Sequence, residues 1–165
     1  MANEIRLSIA GLGILMYSPP AVRHIPRGAD YLATDYSDGP AVQRHIQAGS
    51  LVGFGTGSPG VFQLRLHQAE PAADVLDASE FKLRLGIKVE EELVCFKDLY
   101  ALLKWNPKIP AEQTQRMSNG HYRITLCSNT PASGILGDNQ VIEVFFEKWD
   151  GMPPLAKRGV PTLCE

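Results

Sequence analysis

The segment from Phe81 to Val89 has an apolar residue at every second position, and the residues between them are Lys82, Arg84, Gly86 and Lys88. A period of two places the apolar side chains on one face of a β-strand and the charged side chains on the other. Strands of this kind are typical of antiparallel sheets, which pack one face on a core and turn the other to water. The segment therefore predicts an antiparallel β architecture, and it names no chemistry.

Other segments carry apolar residues with the same alternation. Residues 5–16 alternate in two phases that change at a pair of glycines, which predicts one long strand bent by a bulge. Residues 51–54 and 61–67 lie on either side of a glycine-rich loop, Gly55–Gly60, and predict a hairpin. Residues 141–149 are apolar on both phases, which predicts a strand covered on both faces and hence a central position.

Because strands recur with turn signals between them and no long helical period competes, the sequence predicts a mainly β fold. The expected architecture is an antiparallel β-sandwich of about seven to eight strands with one or two short helices. Pro40–Gly49 and the stretch capped by Asp98 are the helix candidates, and residues 70–79 are expected to form a polar loop. The predicted core consists of Leu7, Ile9, Phe54, Phe62, Leu64, Leu66, Phe81, Leu83, Leu85, Ile87, Tyr122, Ile124, Leu126, Ile142, Val144 and Phe146.

Length and composition fit one ordinary globular domain over residues 1–165, with residues 152–165 as a surface tail rich in Pro and Gly. The chain has 44% hydrophobic and 21% charged residues, which excludes disordered and fibrous classes. No apolar run is long enough to span a membrane. Glu4 and Arg6 interrupt the apolar N-terminus, so it predicts a first strand and not an export signal.

Charge and cysteine usage narrow the class of partner and the compartment. A net charge of −2 argues against a general nucleic-acid binder, whose domain would carry a basic excess. Cys95, Cys127 and Cys164 are an odd number without a CxxC pair. Such usage suits reduced thiols and predicts a cytoplasmic location.

Local motifs supply no catalytic, cofactor or metal site. Gly55–Gly60 matches GxGxxG, but a strand follows it where the dinucleotide motif needs a helix, so it predicts a turn. Asp35–Gly39 resembles half of a calcium loop and lacks the distal glutamate. Cys95 and Cys127 lie in apolar strands and are expected to be packing thiols. Four histidines occur in four different elements without metal-ligand spacing, namely His24, His45, His67 and His121.

A group of cations occupies the outward phase of several strands: Arg65, Lys82, Arg84, Lys88 and Arg123. If these strands are neighbours, the side chains form a basic patch, bordered by the Gly55–Gly60 loop, on a protein that is acidic overall. Two interpretations stay open. The patch is either a solvated sheet face or a docking surface for an acidic partner or an anionic ligand.

The chain layout also carries a family resemblance. A first apolar strand, a short helix, GSLVGFGT, the return strand FQLRL and a late strand beginning Gly120-His121-Tyr122-Arg123-Ile124 follow one another. This order resembles small bacterial β-sandwich proteins of the competence protein J type. The resemblance implies a β-sandwich that regulates another protein, in that family by inhibiting a nuclease, and it implies no catalytic residues to carry over.

Together these observations predict a non-enzymatic binding or regulatory module of a bacterial cytoplasm, of which an inhibitor or immunity-type protein is one form. It would bind a protein or an anionic ligand through the polar sheet face, without a cofactor or a membrane. The alternative is a small hydrolase or isomerase with an assembled site, since such sites leave no local motif. The enzyme is favoured by a pocket that gathers two or more of six residues: His24, His45, His67, His121, Asp35 and Asp38.

Overall fold

The computed structural model describes residues 3–31, 40, 44, 48–151 and 163. In chain order, the elements described over their whole length are β1 (Asn3–Ile9), β2 (Gly13–Tyr17), a 3-10 helix (Pro19–Val22), β3 (Leu51–Gly55), β4 (Gly60–His67), α1 (Ala73–Ala78), β5 (Phe81–Val89), β6 (Leu93–Asp98), 3-10 helices at Leu99–Leu103 and Ala111–Gln113, β7 (Thr114–Arg116), β8 (Gly120–Ser128) and β9 (Gln140–Trp149).

The strands form two sheets that pack face to face. Sheet A has the order β1-β4-β9-β8-β5, and sheet B has the order β3-β2-β6-β7. Every pair is antiparallel except β4 with β9, which is parallel. The predicted mainly β sandwich is confirmed, and β9 is the central strand of sheet A as predicted. Its outer face, which the sequence predicted to be covered, instead carries half-buried side chains such as Glu143 and Glu147. The strand that the sequence did not predict is β7, which is short and polar.

The main core lies between the two sheets and contains the predicted residues. Leu85, Ile124 and Phe146 enter it from sheet A, and Phe54 and Phe96 enter it from sheet B, all at 1% exposure or less. Phe81 differs from the rest of the predicted core, because it is only partly buried and packs against the edge of the cluster. Burying one such side chain completely contributes roughly 1.5–3 kcal/mol. Leu163 is also buried in this core and donates its N–H to the Gly55 carbonyl at 2.8 Å.

A second apolar cluster covers the outer side of sheet B. Leu15, Tyr17 and Cys95 face away from the main core and pack with Leu102 and Trp105. The 3-10 helices at Pro19–Val22 and Leu99–Leu103 supply part of this cover. All five residues of β2 are therefore buried. Sheet B is closed on both faces, whereas much of the outer face of sheet A is open.

Two connections differ from those predicted. The chain between Ile9 and Gly13 does not continue one strand through a bulge, because β1 belongs to sheet A and β2 to sheet B. The corner is held by Asp98, whose carboxylate accepts the N–H groups of Ala10 and Gly11 at 2.9 and 3.2 Å. The predicted hairpin of β3 and β4 is also wrong, since the loop between them carries the chain from sheet B to sheet A.

The helix predictions have mixed outcomes. Asp98 caps the following turn by accepting the Tyr100 N–H at 3.0 Å, but that turn is a 3-10 helix, in which Leu99 and Leu102 are buried and Leu103 is 44% exposed. α1 lies inside the predicted polar loop and was missed. The predicted Pro40–Gly49 helix lies mostly outside the described residues, although Gly49 has the left-handed φ of 65° expected of its cap. Asp35–Gly39 and most of the 152–165 tail also lie outside them. No helix in the described part of the chain is long and apolar enough to cross a membrane.

The phase of β5 generates a stability prediction. Leu85 is fully buried and Leu103 is 44% exposed, so Leu85→Ala and Leu103→Ala make the same chemical change in two environments. Leu85→Ala should lower the free energy of unfolding in urea by roughly 2–5 kcal/mol, because it leaves a cavity in the core. Leu103→Ala should change it by less than about 0.5 kcal/mol. A loss below about 0.5 kcal/mol for Leu85→Ala would contradict the packing described for β5.

Candidate interaction surface

The five cations predicted as a partner-binding group all lie on the outer face of sheet A. Arg65 is on β4, Lys82, Arg84 and Lys88 are on β5, and Arg123 is on β8. Apart from the partly buried Phe81, their neighbours along each strand are buried in the main core, so strand alternation turns the cations away from it. We call this outer surface the polar face. It also carries the side chains of Glu4, His67, His121, Glu143, Glu147 and Trp149.

The polar face is not uniformly basic, because β9 lies between β4 and β8. In the register of the sheet, Glu143 stands opposite Arg65 and Glu147 stands opposite Arg123. The outward positions of the cations agree with the alternation of their strands, but Glu143 and Glu147 on β9 were not part of the predicted group. Directly opposed charges of opposite sign stabilise a sheet and neutralise one another's field. The expected basic patch is therefore divided by acidic side chains.

Glu143 ties together the β4 side of the polar face. Its carboxylate lies 3.4 Å from Arg65 Nη1 and 2.7 Å from His67 Nε2. Arg65 also lies 3.6 Å from the carboxylate of Glu4 on β1. The His67 ring stacks on Phe145 with the ring centroids 4.6 Å apart. Arg65 is thus held by two carboxylates and contributes little unbalanced positive charge.

Arg123, Glu147 and Trp149 form a closely contacting group on the polar face. Arg123 donates to Glu147 Oε2 from Nε at 3.0 Å and from Nη2 at 2.7 Å. Its guanidinium carbon lies 4.4 Å from the centre of the Trp149 ring. A guanidinium held over an indole by a carboxylate is a rigid platform, and Trp and Arg are the residue types that dominate binding energy at protein interfaces. The sequence prediction missed Trp149, which the outward phase of β9 beside Arg123 could have revealed.

Strand β5 forms one edge of sheet A and carries two cations that no described carboxylate pairs with. Lys82 and Arg84 are exposed, and no described residue forms an ion pair with either. Lys88 differs, because its ammonium lies 2.9 Å from Glu90. Lys82 and Arg84 therefore form a pair of uncompensated cations on one edge of sheet A, and Arg6 on β1 is a single uncompensated cation on the opposite edge.

The backbone of β5 is also open along part of its edge. Lys88 donates its N–H out of the sheet, to the Gly49 carbonyl at 2.9 Å. Residues two apart in an antiparallel ladder point their N–H and C=O groups the same way, so those of Gly86, Arg84 and Lys82 also point outward. Within the described part of the chain, the outward N–H and C=O groups of these three residues form no backbone hydrogen bond. Charged side chains on such an edge discourage pairing with other strands, which is an alternative explanation for Lys82 and Arg84.

A polar cleft of about 660 Å³ opens beside the polar face, between α1 and the loop from β8 to β9. Arg65 and Glu143 border it, together with Ser79, Cys127 and Ser128. The pKa of the Cys127 thiol is raised, because burial outweighs the lowering effects of the Ser79 hydrogen bond and of Lys82 and Arg84. A protonated, buried thiol fits the predicted packing role of Cys127.

The residues of the alternative enzyme hypothesis do not come together within the described structure. His67 and His121 stand opposite Phe145 and Trp149 of β9, which places them roughly 13 Å apart along the strand. His24 pairs with Tyr31 at 3.1 Å, remote from sheet A. Among the described residues, no group of three or more His, Cys, Asp or Glu could hold a metal ion. His45, Asp35 and Asp38 lie outside the described residues.

The glycine-rich loop at Gly55–Gly60 is a turn, as predicted. Ser58 Oγ donates to the Leu136 carbonyl at 2.8 Å, and Val61 N–H donates to the Gly137 carbonyl at the same distance. A Cβ atom at Gly60 would lie 2.3 Å from the Gly137 carbonyl oxygen, so only glycine permits this approach. The loop is anchored to the β8–β9 loop at the end of sheet A where β4 begins.

Comparisons with known proteins define the fold and no more. Neither a protein-family model nor a curated protein sequence matches the chain. The crystal structure of ComJ from Bacillus subtilis, an inhibitor of the DNA degrading activity of NucA, is 13% identical, with 89% of this chain and 96% of that chain covered and a TM-score of 0.48. The structure of crocagin biosynthetic gene J is 16% identical, with 88% and 96% covered and a TM-score of 0.53. The resemblance predicted from the sequence is confirmed at the level of the fold.

The pair of Arg123 and Glu147 generates a second prediction. Their side chains are 19% and 22% exposed, whereas those of Lys88 and Glu90 are 50% and 40% exposed. In a double-mutant cycle, Arg123→Gln and Glu147→Gln should show a coupling of about 0.5–1 kcal/mol in the free energy of unfolding. The control cycle of Lys88→Gln and Glu90→Gln should give about 0.2 kcal/mol, since water screens that pair more strongly. Equal couplings would contradict the structural role assigned to Glu147.

Proposed function

We propose that the protein is a non-enzymatic binding module of the regulatory or inhibitor type, and that it docks an acidic protein partner through the polar face. The observation that carries the proposal is the pair of exposed cations on edge strand β5, Lys82 and Arg84, which no described carboxylate neutralises. The bacterial cytoplasm is part of the same proposal, supported by two buried cysteines that remain free thiols.

The arrangement of the cations supports an acidic partner. Arg84 stands opposite Thr125 and Arg123 stands opposite Gly86, so the two guanidinium groups are diagonal neighbours across β5 and β8. Diagonal positions lie about 7–8 Å apart, within reach of one partner segment. Arg123 with Trp149 would supply an ordered contact at the centre, and Lys82 and Arg84 would supply the long-range attraction that steers association.

The related structures inform the proposal only as fold neighbours. ComJ inhibits a nuclease activity, but its TM-score of 0.48 and identity of 13% carry no argument about the partner of this chain. The proposal rests on the geometry of the polar face. Arg65 and Lys88, which are paired with carboxylates, are expected to contribute less to docking than Lys82 and Arg84.

Charge reversal at the unpaired cations tests the proposal. The double variant Lys82→Glu with Arg84→Glu should lose the partner that the wild-type protein captures from its own cells, as quantified by mass spectrometry. Binding of that partner to the wild type should weaken as salt is raised, since exposed charges are screened over about 10 Å at 0.1 M ionic strength. Lys104→Glu with Lys108→Glu makes the same charge change at exposed lysines beyond the Leu99–Leu103 turn and should keep the partner.

The same experiment separates docking from protection of the sheet edge. A glutamate is also a charged guard of an edge, so the reversed variant should keep the oligomeric state of the wild type under either explanation. Only docking predicts that the partner is lost. Retention of every captured partner by Lys82→Glu with Arg84→Glu would refute the proposal and leave the cations as guards of the edge.

A further inference from the structure

The outer side of sheet B, on the opposite face of the sandwich from the polar face, contains a cavity of about 350 Å³. Its walls are mainly apolar and are formed by Tyr17, Val22, Ile25, Leu93, Cys95 and Ile109. Arg23 and Pro107, both exposed, stand at its mouth. Mainly apolar cavities of roughly 300–1,000 Å³ with few polar groups are typical of small-molecule sites.

Two polar groups in the wall of this cavity, the Tyr17 hydroxyl and the Cys95 thiol, have no hydrogen-bond partner among the described residues. Tyr17 is 2% exposed, and its hydroxyl forms no hydrogen bond with any described residue. Cys95, which stands opposite Tyr17 across β2 and β6, is 1% exposed and likewise has no described hydrogen-bond partner. Among the described residues, the fully buried side-chain N and O atoms without a hydrogen bond are Trp105 Nε1 and His121 Nδ1, so the Tyr17 hydroxyl is not sealed in the core and reaches the space of the cavity. The Tyr17 hydroxyl and the Cys95 thiol thus open onto one apolar cavity without a described partner, which fits a ligand that brings its own polar atom.

The Tyr17 ring is held in one orientation. It meets the Trp105 ring edge to face, with the centroids 5.7 Å apart. Other contacts hold Trp105 in place. Lys97 Nζ lies 4.4 Å from the centre of its ring, and its backbone accepts the Gly28 N–H and donates its own N–H to the Ala29 carbonyl. A hydroxyl on a ring fixed in this way is positioned for binding before any ligand arrives.

The cavity offers no free charge. Burial raises the pKa of Tyr17, and the nearby Cys95 adds to that rise. Burial also raises the pKa of Cys95 to about 11, against a smaller lowering by Lys97. Both groups are therefore neutral at physiological pH. Arg23 at the mouth is paired with Glu91. Since an unpaired charge in an apolar site is strongly disfavoured, an uncharged ligand is preferred.

We propose that this cavity is a binding site for a small, uncharged, mainly apolar molecule that carries one hydrogen-bond acceptor for the Tyr17 hydroxyl. The volume of about 350 Å³ is more than twice the ~150 Å³ cavity that holds a benzene ring. A single ring with a short polar substituent therefore fits. The site is separate from the proposed docking of an acidic partner, so either can fail without the other.

Three probes of similar size test the site on the wild-type protein. Acetophenone has a ring and a carbonyl acceptor, ethylbenzene lacks the acceptor, and benzoate carries a negative charge. In amide chemical-shift titrations, acetophenone should shift the signals of Tyr17, Val22 and Cys95. It should bind about three- to tenfold more tightly than ethylbenzene, as one hydrogen bond allows, and more tightly than benzoate. Absence of shifts at millimolar acetophenone, or shifts confined to other residues, would overturn the site.

Two matched variants test the role of the hydroxyl. Tyr17→Phe removes only that oxygen and should bring the affinities for acetophenone and ethylbenzene to near equality. Tyr100→Phe makes the same change at a tyrosine that is 43% exposed and outside the cavity lining, and should leave their ratio unchanged. Equal affinities in the wild type, or tighter binding of benzoate, would overturn the assigned ligand class. The wild-type comparison decides this point even if Tyr17→Phe folds poorly.

Discussion

The central strand β9 is the element on which the rest of the structure depends. It pairs in parallel with β4 and antiparallel with β8, and so joins the two halves of sheet A. Its inward residues Ile142, Val144 and Phe146 are buried in the main core at 1% exposure or less. Its outward residues Glu143 and Glu147 hold Arg65, His67 and Arg123. One strand thereby fixes both the core side of the sheet and the charge pattern of the polar face.

This charge pattern has a functional consequence at the edge of the sheet. Because β9 compensates the cations beside it, the cations of the polar face without a described ion pair lie on the two edge strands: Lys82 and Arg84 on β5, and Arg6 on β1. Charge that is already paired adds little to association, whereas unpaired charge at an exposed edge acts over a Debye length. The polar face is therefore an ordered, nearly neutral region around Arg123 and Trp149, with a positive margin at Lys82 and Arg84.

Much of the fold could be predicted from alternation, because period-two patterns report directly which face of a strand is buried. The phase of β5, the membership of the core and the central position of β9 all followed from this. The connections did not follow. A glycine-rich segment is compatible with a hairpin, a bulge or a crossing between sheets. At Gly11 the chain crosses from sheet A to sheet B, and this corner is held by the carboxylate of Asp98, which is remote in sequence. α1 escaped because six residues are too few to show a helical period.

The site was only partly predictable for a related reason. The alternation of each strand identified the outward cations Arg65, Lys82, Arg84, Lys88 and Arg123. It could not show that β9 lies between β4 and β8, because strand order depends on contacts between distant parts of the chain. The cavity on sheet B was even harder to predict from the sequence. Tyr17 and Cys95 are neighbours only because of the register of β2 with β6, and Trp105 contacts Tyr17 from a separate segment.

The two outer faces of the sandwich differ in how they are covered, and the two proposed binding roles follow this difference. The outer side of sheet B is covered in part by short 3-10 helices and irregular segments, and a cavity over Tyr17 lies within this cover. Much of sheet A has no such cover, so its outward side chains must be compatible with water and are free to meet another surface. A small apolar ligand and a large acidic partner would thus be bound on opposite sides. Because β2 packs its inward residues Ile14 and Met16 into the same core as β9, any communication between the two sites would have to pass through that shared core.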